Sequence, residues 1–459
     1  MKKKFVTLLG LIGALALTGC TKGGGGGGDN SNVIKVSVLK AGLGETVYRE
    51  LAKAYEAEHP GVKVSILFSY ELNSEVDKAI KTGKVSDLYT IRDIAQIKRF
   101  SISKQVANLD DVYASIIEDG KTLESMMDES AKDYCYYQDH YIAIPEYMNV
   151  NGYVYNKKLF DQYGWQIPKT TAEMEALFQQ ILSDTGGATK PLITCGPADG
   201  YVYYLLNGIN TAYEGIDNMQ RLLKFDDVTE FHPDKRAGKI HALEKLKYWY
   251  SDNNGFVYQN ARGLTHIEAQ QKLLNGEAAM MLNGSWFETE MSAYMKPEND
   301  IAMFAVPQYT QGIEPEHAAG YTTIDDKPIM NTEYTANWFI PAKAKNLEGA
   351  KDFLKFICTS KMNEVYTKNC NSVRPFKYNK DSTSETYKDM SNFGKSVLDI
   401  ANNYTSFVPA SKSQLVVSKG LDLWPCESDK YHLRAMLDEG KEPYAEIMRE
   451  YEFVRNIIK

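Results

Sequence analysis

From residue 33 onward the chain alternates between two apolar rhythms. Val33, Ile34, Val36, Val38 and Leu39 crowd into a short run, as a buried strand requires, and Gly42 and Gly44 interrupt it. Val47, Tyr48, Leu51 and Tyr55 then recur at helical spacing through Glu58, until Pro60-Gly61 stops the helix. Val62, Val64, Ile66 and Phe68 alternate with Lys63 and Ser65, which predicts a second strand. A strand, a helix and a strand in this order imply two parallel strands joined by a right-handed crossover. A helix over Asn73 to Lys81 and a short strand over Ser86 to Ile91 continue the unit, so the chain opens as an α/β open sheet.

Later helices announce their starts. Thr170-Thr171-Ala172-Glu173 has the form of a capping box, and Met174, Leu177, Phe178 and Ile181 behind it share one face. Thr265-His266-Ile267-Glu268 repeats the pattern for a helix that ends at Asn275-Gly276. The run Ala278 to Leu282, bounded by Asn283-Gly284, predicts a strand covered on both sides. Leu347, Ala350, Phe353, Leu354 and Ile357 mark an amphipathic helix after Asn346. The C-terminal third is mostly helical, as over Tyr444 to Ile458, and no internal repeat is visible.

The N-terminus follows different rules. Three lysines after Met1 precede an apolar stretch from Phe5 to Leu17, which ends in Leu17-Thr18-Gly19-Cys20. A helix of that length reaches about 20 Å, too short for a hydrocarbon core of about 30 Å, so a secretory leader is expected over residues 1–19. The last four residues resemble a bacterial lipobox, which implies acylation of Cys20 and cleavage before it. Two or three acyl chains, at about 0.8 kcal/mol per buried CH₂, hold a protein stably at a membrane. Residues 20–32, with glycines from Gly23 to Gly28, are expected to act as a flexible tether spanning roughly 20 Å. They lack the preceding strand and the following Lys-Ser or Lys-Thr of a phosphate-binding loop.

Composition narrows the partners. The formal net charge is −8, and removal of the leader lysines makes it more negative, which argues against nucleic acid and suits an exported soluble protein. The 31 tyrosines offer flat faces with hydroxyls, a surface suited to sugars or peptides as well as to ordinary packing. Five cysteines follow Cys20 (Cys135, Cys195, Cys358, Cys370 and Cys426), scattered without zinc-finger spacing or a disulfide framework, so buried free thiols are expected. No His-Glu-x-x-His, Gly-x-Ser-x-Gly or paired Cys-x-x-Cys pattern is present, and neither a metal nor a cofactor is expected.

Three ordered stretches carry a resemblance: Tyr141 to Tyr147 running into Gly152 to Phe160, Leu274 to Trp286, and Phe339 to Pro341 followed by Asn346 to Ile357. Together they resemble the family 1 extracellular solute-binding proteins, the maltose-binding-protein-like receptors of ATP-driven importers. The resemblance implies a type II periplasmic-binding-protein-like α/β fold, with two lobes of open sheet flanked by helices and a ligand cleft between them. Lobe 1 is expected to comprise 33–146 plus 283–339, and lobe 2 to comprise 147–282 plus 340–459. The chain would cross between them near Ile144 to Tyr147, Leu282 to Gly284, and Phe339 to Pro341. The implied role is that of a non-enzymatic, lipid-anchored, monomeric receptor on the outer face of the membrane. It would capture a carbohydrate, such as an oligosaccharide, and hand it to the permease of an importer. A peptide or other polar solute, or glycoside hydrolysis by two carboxylates, are the alternatives.

Open α/β sheets place ligands at the carboxyl ends of their strands. On that basis, and on the family's habit at the crossings, the candidate ligand-binding residues are Glu45, Arg92, Glu146, Tyr147, Asn149, Asp199, Tyr201, Trp286, Trp338 and Arg374. The two tryptophans would stack on sugar rings, and the polar residues would bind hydroxyls. Glu45 equally suits the helix dipole at the start of the first helix.

Overall fold

The structure is a computed structural model that describes residues 32–40, 42–92, 94–196, 201–308, 327–408, 413, 417 and 434–458. Cys20, the leader and the glycine tether lie outside the described residues, as do Asp199 and Cys426.

The first elements form as their periodicities require. Strands β1 (Val33–Leu39), β2 (Lys63–Ser69) and β3 (Leu88–Ile91) are parallel, with β1 in the middle. The helix Thr46–Glu58 makes the crossover between β1 and β2 and buries Val47, Tyr48, Leu51 and Tyr55. Two small hairpins follow, β4 (Ile116–Glu118) with β5 (Lys121–Thr122) and β6 (Tyr136–Tyr137) with β7 (His140–Tyr141).

The next strand, β8 (Ile144–Asn156), organises the molecule, and all thirteen of its residues are buried. Later strands are β9 (Lys190–Leu192), β10 (Ala278–Gly284), β11 (Ile301–Ala305), β12 (Ile329–Phe339) and β13 (Thr405–Phe407). The first half of β8, through Val150, pairs antiparallel with β12, which in turn pairs with β3. The second half, from Asn151, lies between β10 and β11, antiparallel to both, and β9 flanks β10. One strand thus belongs to two sheets, and each sheet is the centre of a lobe.

Alternation in the second sheet sends side chains to two separate cores. Val154, Met281, Ile301 and Met303 join the cluster that continues into the first lobe. Tyr153, Tyr155, Met280, Leu282, Ala302 and Phe304 join the other, with Phe178, Leu205, Leu246 and Trp249 from helices Thr171–Thr185, Val202–Glu214 and Ala237–Trp249. A sheet covered on both faces needs apolar residues at successive positions, which explains the unbroken Ala278–Leu282 run. Both expected capping boxes are present: Thr170 with Glu173, and Thr265 with Glu268, each with reciprocal hydrogen bonds.

The packing of the elements around the expected lobe boundaries is as follows. Helices Leu347–Ile357 and Ser360–Cys370, expected in lobe 2, pack on Thr46–Glu58 of the first lobe: Tyr55 meets Phe353 and Phe356 at 5.1 and 5.2 Å, and its hydroxyl donates to Asp352 at 2.9 Å. The amphipathic stripe of the Leu347 helix specifies a buried face without specifying which sheet it covers. Residues 283–305, expected in lobe 1, include the end of β10, the short helix Phe287–Met291 and β11, and both strands pair with the second half of β8. On β8 the change of strand partners (the pivot) falls between Val150 and Asn151. The last helix, Pro443–Ile458, returns to the second lobe, where buried Arg236 meets buried Glu450 at 3.4 Å.

The first lobe also encloses a polar chamber. Glu146 on β8 is fully buried and faces Tyr48, Thr90, Tyr366 and the guanidinium of Arg374. Both carboxylate oxygens, Thr90 Oγ1 and the Tyr366 hydroxyl are buried beside one another without hydrogen bonds of ordinary geometry, though the hydroxyls act on the carboxyl's protonation, and Trp338 Nε1 and Arg374 Nε have no hydrogen-bond partner among the described residues. Burial pushes the Glu146 carboxyl up from 4.5 to about 7, against the opposing pull of the Tyr48 hydroxyl and the Arg374 charge. Cys358 and Cys370 lie beside this chamber, and they, Cys135 and Cys195 are buried free thiols.

Two predictions follow from this packing. A Cβ on Gly152 would stand 2.2 Å from the Phe304 carbonyl oxygen and 3.2 Å from the Ala305 Cα, both of them backbone. Gly152→Ala therefore forces β11 away from β8 and is expected to cost roughly 2–3 kcal/mol in urea denaturation, whereas an unchanged midpoint would contradict the close approach. The folded protein holds the Glu146 proton to higher pH than the unfolded chain does. This group's contribution is therefore full below about pH 4.5 and declines as pH rises through about 7, by on the order of 3 kcal/mol. Glu146→Gln should flatten the fall in stability between about pH 5 and about pH 8, and parallel pH profiles would refute the assignment.

Candidate ligand-binding site

The site lies where the carboxyl ends of the first-lobe strands meet the pivot and the second lobe. From the first lobe come the loop after β1 and Arg92, the residue after β3. Arg92 is exposed, and its main chain is pinned on both sides: its N–H donates to Asn73 Oδ1 at 3.3 Å, and its carbonyl accepts from Asn337 Nδ2 at 3.2 Å. Its charge bears on Tyr147, Tyr201 and Tyr204, so the three hydroxyls lie within its field.

From the second lobe comes an aromatic wall. Tyr201 caps the helix Val202–Glu214, and its ring stands 6.0 Å from Trp286 and 6.0 Å from Tyr204. Tyr204 is 6.2 Å from Trp286 and 4.1 Å from Tyr203. Trp286 follows the end of β10 and is half-buried, so part of the indole remains available. Its Cβ would lie only 3.3 Å from a Cβ built on Gly42, which brings the first-lobe loop directly against this second-lobe ring. Burial raises the Tyr201 hydroxyl well above the usual tyrosine range, so this wall stays neutral at physiological pH.

The floor is supplied by the two pivot strands. Along β12, Asn331, Glu333 and Thr335 are the partly open positions between buried neighbours. Asn149 on β8 donates from Nδ2 to Thr335 Oγ1, and its carbonyl accepts from Thr332 Oγ1. Glu333 accepts from the Tyr203 hydroxyl, which ties the second-lobe helix to the floor. Asn149 Oδ1, Asn151 Oδ1 and Ser285 Oγ are buried without a hydrogen-bond partner among the described residues. Flat apolar faces beside hydroxyl, amide and carboxylate groups are what a polyhydroxylated ring needs.

Of the residues singled out in the sequence, Arg92, Tyr147, Asn149, Tyr201 and Trp286 come together here. Glu45 stands at the start of its helix and is bound by Lys40 at 2.7 Å and Arg49 at 2.6 Å, pairs that hold its carboxyl below the usual range, Lys40 foremost. Glu146 and Arg374 occupy the interior chamber. Trp338 is 1% exposed and packs edge-on against Tyr48 at 6.2 Å, inside the first lobe rather than on the wall. Asp199 lies outside the described residues. Tyr203, Tyr204, Glu333 and Thr335 adjoin the residues that come together here and are not among the sequence candidates. The Tyr201-Val202-Tyr203-Tyr204 cluster and the polar positions alternating along β12 were the signals available.

Among the described residues no group of His, Cys, Asp and Glu side chains converges to hold a metal, and no helix is long and apolar enough to cross a membrane.

The sequence profile described as bacterial extracellular solute-binding protein matches residues 41–364. The diacetylchitobiose binding protein NgcE of Streptomyces coelicolor is 23% identical over 347 residues, covering 74% of this chain and 68% of its own. The multiple sugar-binding protein of Streptococcus mutans is 23% identical over 371 residues, covering 79% of this chain and 80% of its own. Among solved structures, the apo-form of RafE from Streptococcus pneumoniae superposes with a TM-score of 0.70 at 18% identity, covering 94% of this chain and 100% of that one. The two-lobed architecture is that of the type II periplasmic-binding proteins, and the chain belongs to the bacterial extracellular solute-binding protein family.

Proposed function

We propose that this protein captures an oligosaccharide between its lobes on the outer face of the cell membrane and delivers it to the permease of an ATP-driven importer. The observation that carries the proposal is the wall of Tyr201, Tyr204 and Trp286, set across the lobe boundary from Arg92. The partly open rings of Tyr201 and Trp286, backed by buried Tyr204, offer a face to the apolar C–H side of a sugar, while Arg92, Asn149, Glu333 and Thr335 offer polar groups to its hydroxyls. The names of the relatives point the same way, since they bind diacetylchitobiose or multiple sugars, and RafE has been solved with raffinose.

The mechanism is an equilibrium between open and closed lobes. Ligand favours closure only through its tighter binding to the closed form. Burial of the sugar's hydrogen bonds away from water strengthens them, and the closed pair of lobes is the shape presented to the permease. Glu146, Arg374 and Trp338 lie in the interior of the first lobe, and Glu45 is ion-paired at the start of the helix that borders the loop after β1. The chain acts as a monomer and performs no chemistry on its cargo.

The same proposal places a lipid on Cys20, with residues 20–32 as a tether long enough to let the domain move about near the membrane.

Two outcomes test this. In a thermal-shift and calorimetric screen of maltotriose, raffinose, diacetylchitobiose and xylotriose, at least one sugar raises the midpoint and is recovered uncleaved. Trp286→Ala weakens that sugar about tenfold or more without lowering the ligand-free midpoint by a comparable amount. Binding of peptides alone, or turnover of the sugar, would overturn the reading. In cells, the parent chain fractionates with membranes and incorporates a clickable palmitate analogue, while Cys20→Ala does neither; equal membrane recovery of the two would refute the anchor.

A further inference from the structure

Trp286 is held in place by glycines more than by its neighbouring rings. A Cβ built on Gly284 would stand 2.0, 2.3 and 2.6 Å from three atoms of the six-membered part of the indole, Cζ3, Cη2 and Cε3. The ring therefore lies directly on the Gly284 main chain, closer than any side chain allows. Gly284 ends β10 and pairs with Asn151 at the pivot, and its N–H is further fixed by Asn283 Oδ1 at 2.9 Å. On the other side, Gly42 of the first lobe meets Trp286 Cβ, Cγ and Cδ1 at 3.3, 3.6 and 3.7 Å from its own built Cβ position. Tyr201 and Tyr204 stand 6.0 and 6.2 Å away at tilts of 48° and 55°.

We infer that Gly284 is a positioning residue for ligand binding. Its bare Cα lets the indole lie flat against the pivot strand, and this sets the tilt that turns Trp286 into one wall with Tyr201 and Tyr204. The φ of Gly284 is not in the left-handed region, so the need for glycine here comes from the close approach of the ring and not from the backbone. A methyl group at this position lifts the outer edge of the indole by more than 1 Å, given ordinary contact distances of about 3.5–4.0 Å between carbons. The ring then has to swing away from Tyr201 and Tyr204 or press on the Gly42 loop. Either movement changes the wall and the approach of the two lobes while leaving the ladder between β10 and β8 intact.

The inference rests on the proposed role of Trp286, and a double-mutant cycle separates the two. The probe is whichever of maltotriose, raffinose, diacetylchitobiose and xylotriose binds the parent chain most tightly, measured by calorimetry. Gly284→Ala is expected to weaken it about tenfold in the parent chain and less than twofold when Trp286 is already Ala. A merely structural role would lower the unfolding midpoint equally in both backgrounds and reduce affinity by the same factor in both, which would overturn the inference. Fluorine NMR of 5-fluorotryptophan-labelled protein adds a ligand-free readout: the resonance that disappears in Trp286→Phe should shift in Gly284→Ala, while those of buried Trp249 and Trp338 stay in place. An unmoved resonance would also overturn the inference. If Trp286→Ala leaves affinity unchanged, or no sugar binds, the proposed function itself fails and this inference fails with it.

Discussion

The molecule depends on one strand serving two sheets. Ile144–Asn156 is buried throughout its length, hydrogen-bonded to β12 over its first half and to β10 and β11 over its second. Backbone polar groups cannot be buried unpaired without a cost of several kcal/mol, so a strand that passes through both cores has to be paired along its whole length. That requirement fixes where each lobe begins. It also sets the end of β10, at Gly284, beside the first half of β12, while the end of β3, at Ile91, pairs with β12 further along at Asn337. At the change of partners, between Val150 and Asn151, the two sheets meet on this strand, and one apolar cluster runs on from the first sheet to one face of the second.

Those side chains are of two kinds. Some tie the lobes together through the floor, as Tyr203 does to Glu333 and Thr211 does to Asn331. Others face each other across the boundary, as Trp286 does with Gly42 and the aromatic wall with Arg92. The first group keeps the pivot in register. In the function proposed above, the second is where a solute would exchange its own contacts for those between the lobes, which would couple binding to closure.

Local signals along the chain were dependable where a single element decides the outcome. The β-α-β start, the two capping boxes, the covered strand Ala278–Leu282 and the helix from Leu347 all form as their spacing requires. Sequence was less informative where partnership decides. The stripe on Leu347–Ile357 states that a face is buried but not that Tyr55 lies under it. The tryptophans show the same limit within a site. Trp286 and Trp338 both sit beside strand ends, yet one is half-buried against the aromatic wall and the other is interior. The pairing of β12 with β8 is irregular between Tyr334 and Asn337, shortly before Trp338, and the sequence carries no mark of that irregularity. Glu146 and Asn149 differ for a similar reason. Both are polar residues on a buried strand, but Glu146 turns toward Tyr48 and Tyr366 while Asn149 turns toward Thr335. The same run of letters therefore supplies an interior charge and a piece of the floor.

The most direct test is a crystal structure of this protein with a bound oligosaccharide. The account predicts an intact sugar enclosed between the lobes, with a ring against Trp286 and the Tyr201–Tyr204 face, hydroxyls within hydrogen-bond distance of Arg92 or Asn149, and β8 continuous through both sheets. A sugar bound away from this boundary, or density for a cleaved product beside two carboxylates, would contradict it.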